Sequence, residues 1–175
     1  MSTFSADLNG RVAIVTGAAR DVPRAVCVAL ACAGAAVCAV DVNPDRLDET
    51  VALIRGDGGR AIGWTGDVSN RFQAAAMIEA TREAFGGLHI LVNAMSADKR
   101  APLLTLDEYD WRRVLEITLT GAFFCTQLAG RVMADEGGGV IVNVASTLGL
   151  AGLGEEASPL VASHSGLIGL TRQAA

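Results

Sequence analysis

The sequence predicts an α/β protein built on a doubly wound parallel sheet, and three observations predict it. Short β-branched apolar runs alternate with longer segments of helical periodicity along the 175 residues. Helix signals punctuate the longer segments: a capping asparagine, prolines in first turns and glycines at the stops. A glycine turn, "TGAARDVPRAV" (Thr16 to Val26), follows the first apolar run and opens a helix. Strands alternating with helices imply parallel pairing through right-handed crossovers, which puts helices on both faces of the sheet in three layers.

The elements read in order. "RVAIVT" (Arg11–Thr16) is the first strand, and "PRAVCVALACAG" is a helix stopped by Gly34. "AAVCAVD" (Ala35–Asp41) is a second, buried strand, apolar until its last residue. In "NPDRLDETVALIRGDGG" Asn43 is the N-cap of a helix, Pro44 its first residue and Gly56 its stop. "RAIGWTGD" is the third strand, Ser69 starts a helix that ends at Gly86-Gly87, and "LHILVNA" is the fourth strand. A long helix then sets Trp111, Val114, Leu115, Thr118, Ala122, Cys125, Ala129 and Val132 at three- and four-residue steps on one face. "GVIVNVAS" is the fifth strand, expected at a sheet edge with an apolar sequence. A glycine-rich loop leads to the last helix, "SPLVASHSGLIGLTRQAA". No linker or repeat interrupts the series, so residues 1–175 read as one domain.

A formal charge of −5 with no basic excess anywhere argues against a nucleic-acid footprint. Cys27, Cys32, Cys38 and Cys125 form no CxxC pair and read as packing residues with reduced thiols, and no metal site is expected. The N-terminus "MSTFSADLNGR" lacks the apolar core of a signal peptide. The longest apolar stretch, Ala25 to Val40, falls short of the ~20 residues a membrane span needs. A cytoplasmic protein without membrane partners is expected.

From the glycine turn onward the pattern resembles the short-chain dehydrogenase/reductase family. "GDVSN" after the third strand, "ILVNA", "DWRRVLEITLTGAFFCTQ", "GGGVIVNVAS" and "ASHSGLIGLTRQAA" carry the likeness in order. It implies a Rossmann-like domain that binds NAD(H) or NADP(H) and moves a hydride between nicotinamide and an alcohol or carbonyl carbon. It also implies a longer chain, so the last strands of the family fold and its substrate flap are expected to be missing here.

The resemblance assigns the cofactor face residue by residue. The family's turn reads TGxxxGxG; Gly17 matches its first glycine, while Asp21 and Pro23 replace the second and third, on either side of Val22. Two readings stand. In one, Gly17 and the helix N-terminus keep a weakened phosphate site. In the other, Asp21 is an N-cap that has taken the phosphate's place. A like-charge pair at about 4 Å and an effective dielectric near 20 is worth ~4 kcal/mol, enough to weaken binding strongly. Asp41, at the end of the second strand, implies a ribose contact and favours NAD over NADP, whereas Arg20 pulls toward the extra phosphate. Asp67 and Val68 match the adenine contacts. Asn93 matches the first of two family asparagines; the second position is Ala94, followed by Met95 and Ser96.

The family's chemistry uses a tyrosine as general acid/base, a lysine four residues later, a serine and an asparagine. Ser146 matches the serine. Leu160 holds the tyrosine position, His164 the lysine position and Thr118 the asparagine position. Tyr109 is the only tyrosine and Lys99 the only lysine in the chain, both far upstream, so no shift of register recovers the pair. His164 reads as a partly exposed helix residue and His89 as structural; a Ser146–His164 hydrolytic pair lacks a third group and a nucleophile elbow.

Three functions follow from this reading. The first is a family member impaired or inactive in catalysis that binds NAD weakly or has lost it. The second is a non-catalytic partner that docks on relatives, or on itself, through the long and last helices. The third is an active oxidoreductase with unorthodox groups. A truncated gene product is compatible with each.

Overall fold

The computed structural model describes residues 6–151 and 155–175. Five parallel strands form one sheet: β1 (Val12–Thr16), β2 (Ala36–Asp41), β3 (Arg60–Thr65), β4 (Ile90–Asn93) and β5 (Val140–Asn143). Their order is β3-β2-β1-β4-β5. The chain therefore winds outward from β1 to β3, returns to the other side of β1, and continues outward to β5. Register pairs Thr16 with Val40, Val15 with Val92, and Asn93 with Asn143. The strand order reverses between β1 and β4, and the carboxyl ends of those strands are where a doubly wound sheet opens a crevice.

Period-two alternation divides the core between the two faces. Ile14, Cys38 and Val40 pack with Met77 and Ile78 of α3 (Arg71–Phe85) and with Cys125 and Ala129 of α5 (Gly121–Asp135). Val15, Val37 and Ala39 pack with Cys27 of α1 (Asp21–Cys32) and with Leu47, Val51 and Ile54 of α2 (Pro44–Gly56). Burial pushes the thiols of Cys27 and Cys125 up to about 12, so both are neutral packing groups, as read from the sequence. Cys32 is exposed.

Several expected boundaries move. Asp21 is not the N-cap of α1: Arg20 occupies that position and no side chain caps the helix. Asn70, not Ser69, caps α3, its side chain accepting from the N–H groups of Phe72 and Gln73. Ser69 is instead drawn back to Asp67, to which both its N–H and its hydroxyl donate. Gly56 lies inside α2, and the positive-φ glycine beyond it is Gly58. Asn43 caps α2 as expected, accepting from the Arg46 N–H. The long helix is three pieces: α4 (Glu108–Leu115), a π-helical turn at Glu116–Thr120, and α5. Side-chain periodicity cannot register one widened turn, because the residues on either side keep the same face. A four-residue α6 (Leu148–Ala151) follows β5, and α7 (Ser158–Ala174) ends the described chain. Part of the glycine-rich loop and the first five residues lie outside the described residues. Among the described residues no helix is long and apolar enough to cross a membrane.

Candidate active site

A cleft of about 630 Å³ opens at the carboxyl ends of the strands and is lined by the turn after β1, the end of β2, the segment after β4 and the Ser146 end of the β5–α6 connection. That volume lies within the ~300–1,000 Å³ of ordinary ligand sites.

The turn after β1 depends on Gly17, whose φ is +79°; a Cβ there would stand 3.0 Å from the Met95 Cα and 3.1 Å from the Ala94 carbonyl oxygen. Thr16 fastens the same junction from below. Its hydroxyl oxygen accepts from the N–H groups of Ala94 and Met95 at 3.0 and 3.2 Å. Asp41 holds the other side: one carboxylate oxygen accepts from the Ala19 N–H at 3.1 Å and the other from the Asn43 N–H at 3.0 Å. The carboxylate thus ties the glycine turn to the start of α2 and keeps lone pairs for a ligand.

Asp21 takes a left-handed conformation, φ +51°, that glycine adopts without a steric cost. Its side chain is 79% exposed, faces the Arg20 guanidinium at 3.7 Å, and lines the cleft together with Arg20, Val22 and Pro23. Of the first N–H groups of α1, Pro23 supplies none; the Arg24 N–H makes the first regular bond of the helix, to the Arg20 carbonyl.

Asp67 lines the cleft but is already engaged. Its carboxylate accepts from the Arg113 guanidinium at 2.8 Å and from the Ser69 hydroxyl at 2.6 Å. Burial pushes its pKa up, but the hydrogen bonds from Ser69 and Arg113 outweigh burial and hold the carboxyl below its ordinary range. Arg113, on α4, was not singled out from the sequence; its place beside Asp67 depends on a fold contact 46 residues away.

Ser146, Leu160 and His164 meet on one wall of the cleft, Leu160 and His164 one turn apart on α7. His164 is not partly exposed as expected: it is only 6% exposed. Its Nδ1 accepts from the backbone N–H of Ser146 at 3.2 Å, while the Ser146 hydroxyl accepts from the Leu148 N–H. The imidazole therefore holds the Ser146 backbone and does not reach the hydroxyl, which excludes the hydrolytic pair in this arrangement. Burial lowers the His164 pKa, keeping the ring neutral with its proton on Nε2. His89 plays a similar structural part, its Nδ1 accepting from the Val12 N–H.

Three expected site residues do not line the cleft. Val68 is buried against the start of α5, where a Cβ on Gly121 would stand 3.0 Å from it. Thr118 is buried in the π-helical turn, and its hydroxyl accepts from the Ala97 N–H at 3.3 Å. Asn93 is buried and donates to Thr126 and Asn143, linking β4 to α5 and β5. Ala94 does line the cleft.

This fold and cleft define a protein of the doubly wound, parallel α/β class. Residues 11–175 match the family described as short chain dehydrogenase, and the chain belongs to the short-chain dehydrogenase/reductase family of oxidoreductases. It is 36% identical over 169 residues to D-threitol dehydrogenase of Mycolicibacterium smegmatis, covering 97% of this chain and 65% of that protein. It is 42% identical over 166 residues to cis-4-hydroxycyclohexanecarboxylate dehydrogenase of Sinomonas cyclohexanicum, covering 94% of this chain and 66% of that one. The structure superposes on a short chain dehydrogenase from Mycobacterium smegmatis with a TM-score of 0.93 at 32% identity, covering 100% of this chain and 75% of that one. The chain spans about two thirds of the length of these curated relatives.

Proposed function

We propose that this chain is a catalytically silent member of its oxidoreductase family that keeps the cleft and has lost the means of hydride chemistry. One observation carries this reading: the described residues lining the cleft include no tyrosine and no lysine. Tyr109 is 71% exposed on α4, and Lys99 faces Asp110 at 3.6 Å. Beside Ser146, where the family resemblance calls for a phenol and an amine, stand Leu160 and a neutral His164. Leucine has no proton to exchange, and proton transfer by a positioned group typically contributes about 10²–10⁴-fold.

A dinucleotide fits this cleft only in part. Gly17 gives the backbone its close approach, and Asp41 presents a carboxylate to a ribose, which favours NAD over NADP. Asp21 and Pro23 do not fit a pyrophosphate, so NAD binding is expected to be weak at best. Nicotinamide-fluorescence titration and a hydride-transfer assay with a panel of alcohols test the reading. Turnover at an ordinary enzymatic rate, on the order of 1–10³ s⁻¹, would overturn it.

A second reading makes the chain a non-catalytic partner of intact relatives, docking through the long and last helices. Exposed Phe123 on α5 and exposed Tyr109 on α4 support it. Co-purification with a full-length relative, abolished by Phe123→Asp, is its test. Four free cysteines support a reducing, cytoplasmic setting under either reading.

A further inference from the structure

The charges of the cleft select a different kind of ligand from a dinucleotide. Four carboxylates and four guanidiniums line it: Asp21, Asp41, Asp67 and Asp98 against Arg20, Arg46, Arg100 and Arg113. Three of the guanidiniums already face a carboxylate. Arg113 meets Asp67 at 2.8 Å, Arg100 meets Asp98 at 3.0 Å, and Arg20 meets Asp21 at 3.7 Å. Arg46 has no carboxylate partner among the described residues, and it belongs to α2, not to the turn. A pyrophosphate carries two negative charges, so the turn offers it no uncompensated positive side chain.

The backbone deepens this deficit. A helix N-terminus attracts anions through its free N–H groups and its dipole. In α1 the third residue is Pro23, which has no N–H, so one of the free donors that a helix start ordinarily offers an anion is absent. Asp21 adds an exposed carboxylate at the same turn. A donor is missing and an anion is added, two independent changes with one sign.

Asp41 differs. Two backbone N–H groups fix its carboxylate, one on each oxygen, and about two lone-pair sites remain. A fixed acceptor pair of this kind suits a vicinal diol, and a diol needs no counter-charge.

We infer that the cleft takes a neutral nucleoside, its ribose diol on Asp41, and discriminates against the phosphorylated forms through Asp21 and Pro23. This rests on the reading of the cleft as a nucleotide-type site, but not on whether hydride transfer occurs.

Calorimetric titration of the full chain with adenosine, AMP and ADP at low ionic strength tests it. Adenosine should bind at least ~10-fold more tightly than ADP, a difference of roughly 1.4 kcal/mol, with AMP between them. Asp21→Asn removes the charge while keeping a residue that tolerates a left-handed backbone, and it should narrow that gap several-fold. Asp41→Asn should weaken adenosine without reversing the order. Three results would each overturn the inference: ADP binding as tightly as adenosine, no adenosine binding up to millimolar concentration, or a gap unchanged by Asp21→Asn. None of these bears on catalytic silence, which the hydride-transfer assay decides separately.

Discussion

The backbone N–H of Ser146 donates to Nδ1 of His164 across 18 residues of chain, at 3.2 Å. That bond requires a lone pair on Nδ1, and so a neutral ring. Two further interactions lock the same place: the Ser165 hydroxyl donates to the Gly149 carbonyl at 2.8 Å, and a Cβ on Gly149 would stand 2.7 Å from the His164 carbonyl carbon. The charged groups of the neighbouring elements are largely occupied with one another. Glu108 meets Arg112, Asp110 meets Lys99, Arg113 meets Asp67, Asp98 meets Arg100, and Glu116 is exposed.

Burial alone lowers the His164 pKa, so the unfolded chain takes up this proton first as pH falls. Stability is therefore complete above the ordinary imidazole value of ~6.5 and is lost as pH drops from there toward the lowered folded value. The loss should be accompanied by faster amide exchange at Ser146, whose N–H then has no acceptor on the charged ring. His164→Asn keeps an acceptor two bonds from Cβ but does not titrate, and its stability should lack this component. Denaturant unfolding across pH 5–8 measures the difference; equal pH slopes in the two proteins would refute it.

A second pH dependence has its origin at Asp67. Its pKa is lowered because the hydrogen bonds from Ser69 and Arg113 outweigh the upward push of burial. The stability this adds is present above the ordinary aspartate value of ~3.9 and disappears as pH falls through the lowered one. Both side chains of the Asp67–Arg113 pair are partly exposed, so solvent screening holds the contribution to ~1 kcal/mol. Arg113→Met should lower the melting temperature at pH 7, and that deficit should shrink as pH falls below the ordinary aspartate value and through the lowered one. A deficit that persists at acid pH would assign it to lost packing by the arginine stem.

Gly17 is constrained twice, by its φ of +79° and by the Ala94–Met95 backbone against its Cα. Neither constraint can relax cheaply, since both sides of the contact are main chain held by the Thr16 hydroxyl. Gly17→Ala should cost about 1–3 kcal/mol. Thermal unfolding checks this, with Gly58→Ala as a control: φ is also positive there, but nothing lies within 4 Å of the added Cβ. Equal costs for the two would show that the close approach contributes nothing.

Much of this architecture was legible in the sequence because it rests on local rules. Apolar runs such as "VAIVT" and "AVCAVD" marked the strands, and Asn43-Pro44 marked the start of α2 by its capping chemistry. The glycine turn was legible for the same reason. What the sequence did not show was pairing over distance. Arg113 reaching Asp67, Thr16 holding Ala94, and His164 turned inward to Ser146 each depend on elements brought together by the fold. The misassigned cap at Asp21 has a more local cause: an acidic residue before a helix commonly caps it, yet here the backbone already turns left-handed at that residue.

The last prediction concerns the sheet edge. Among the described residues β5 stands at one end of the strand order and pairs with β4 alone. Along it Val140 is 58% exposed and Val142 is 45% exposed, so one apolar face and one row of backbone groups are open to solvent. Such an edge is a template for pairing with another chain, and natural sheets blunt it with charge, most often lysine. Ile141, between the two valines, packs instead against the α3–α5 side of the core, so replacing an outward valine spares that packing. Val142→Lys should change folding stability by no more than ~1 kcal/mol. It should also reduce concentration-dependent association, as measured by light scattering over a dilution series. Ile141→Lys should instead unfold the protein or lower its melting temperature sharply, since it buries a charge against the core. If Val142→Lys left the scattering unchanged while the fold stayed intact, the exposed edge would have no part in self-association.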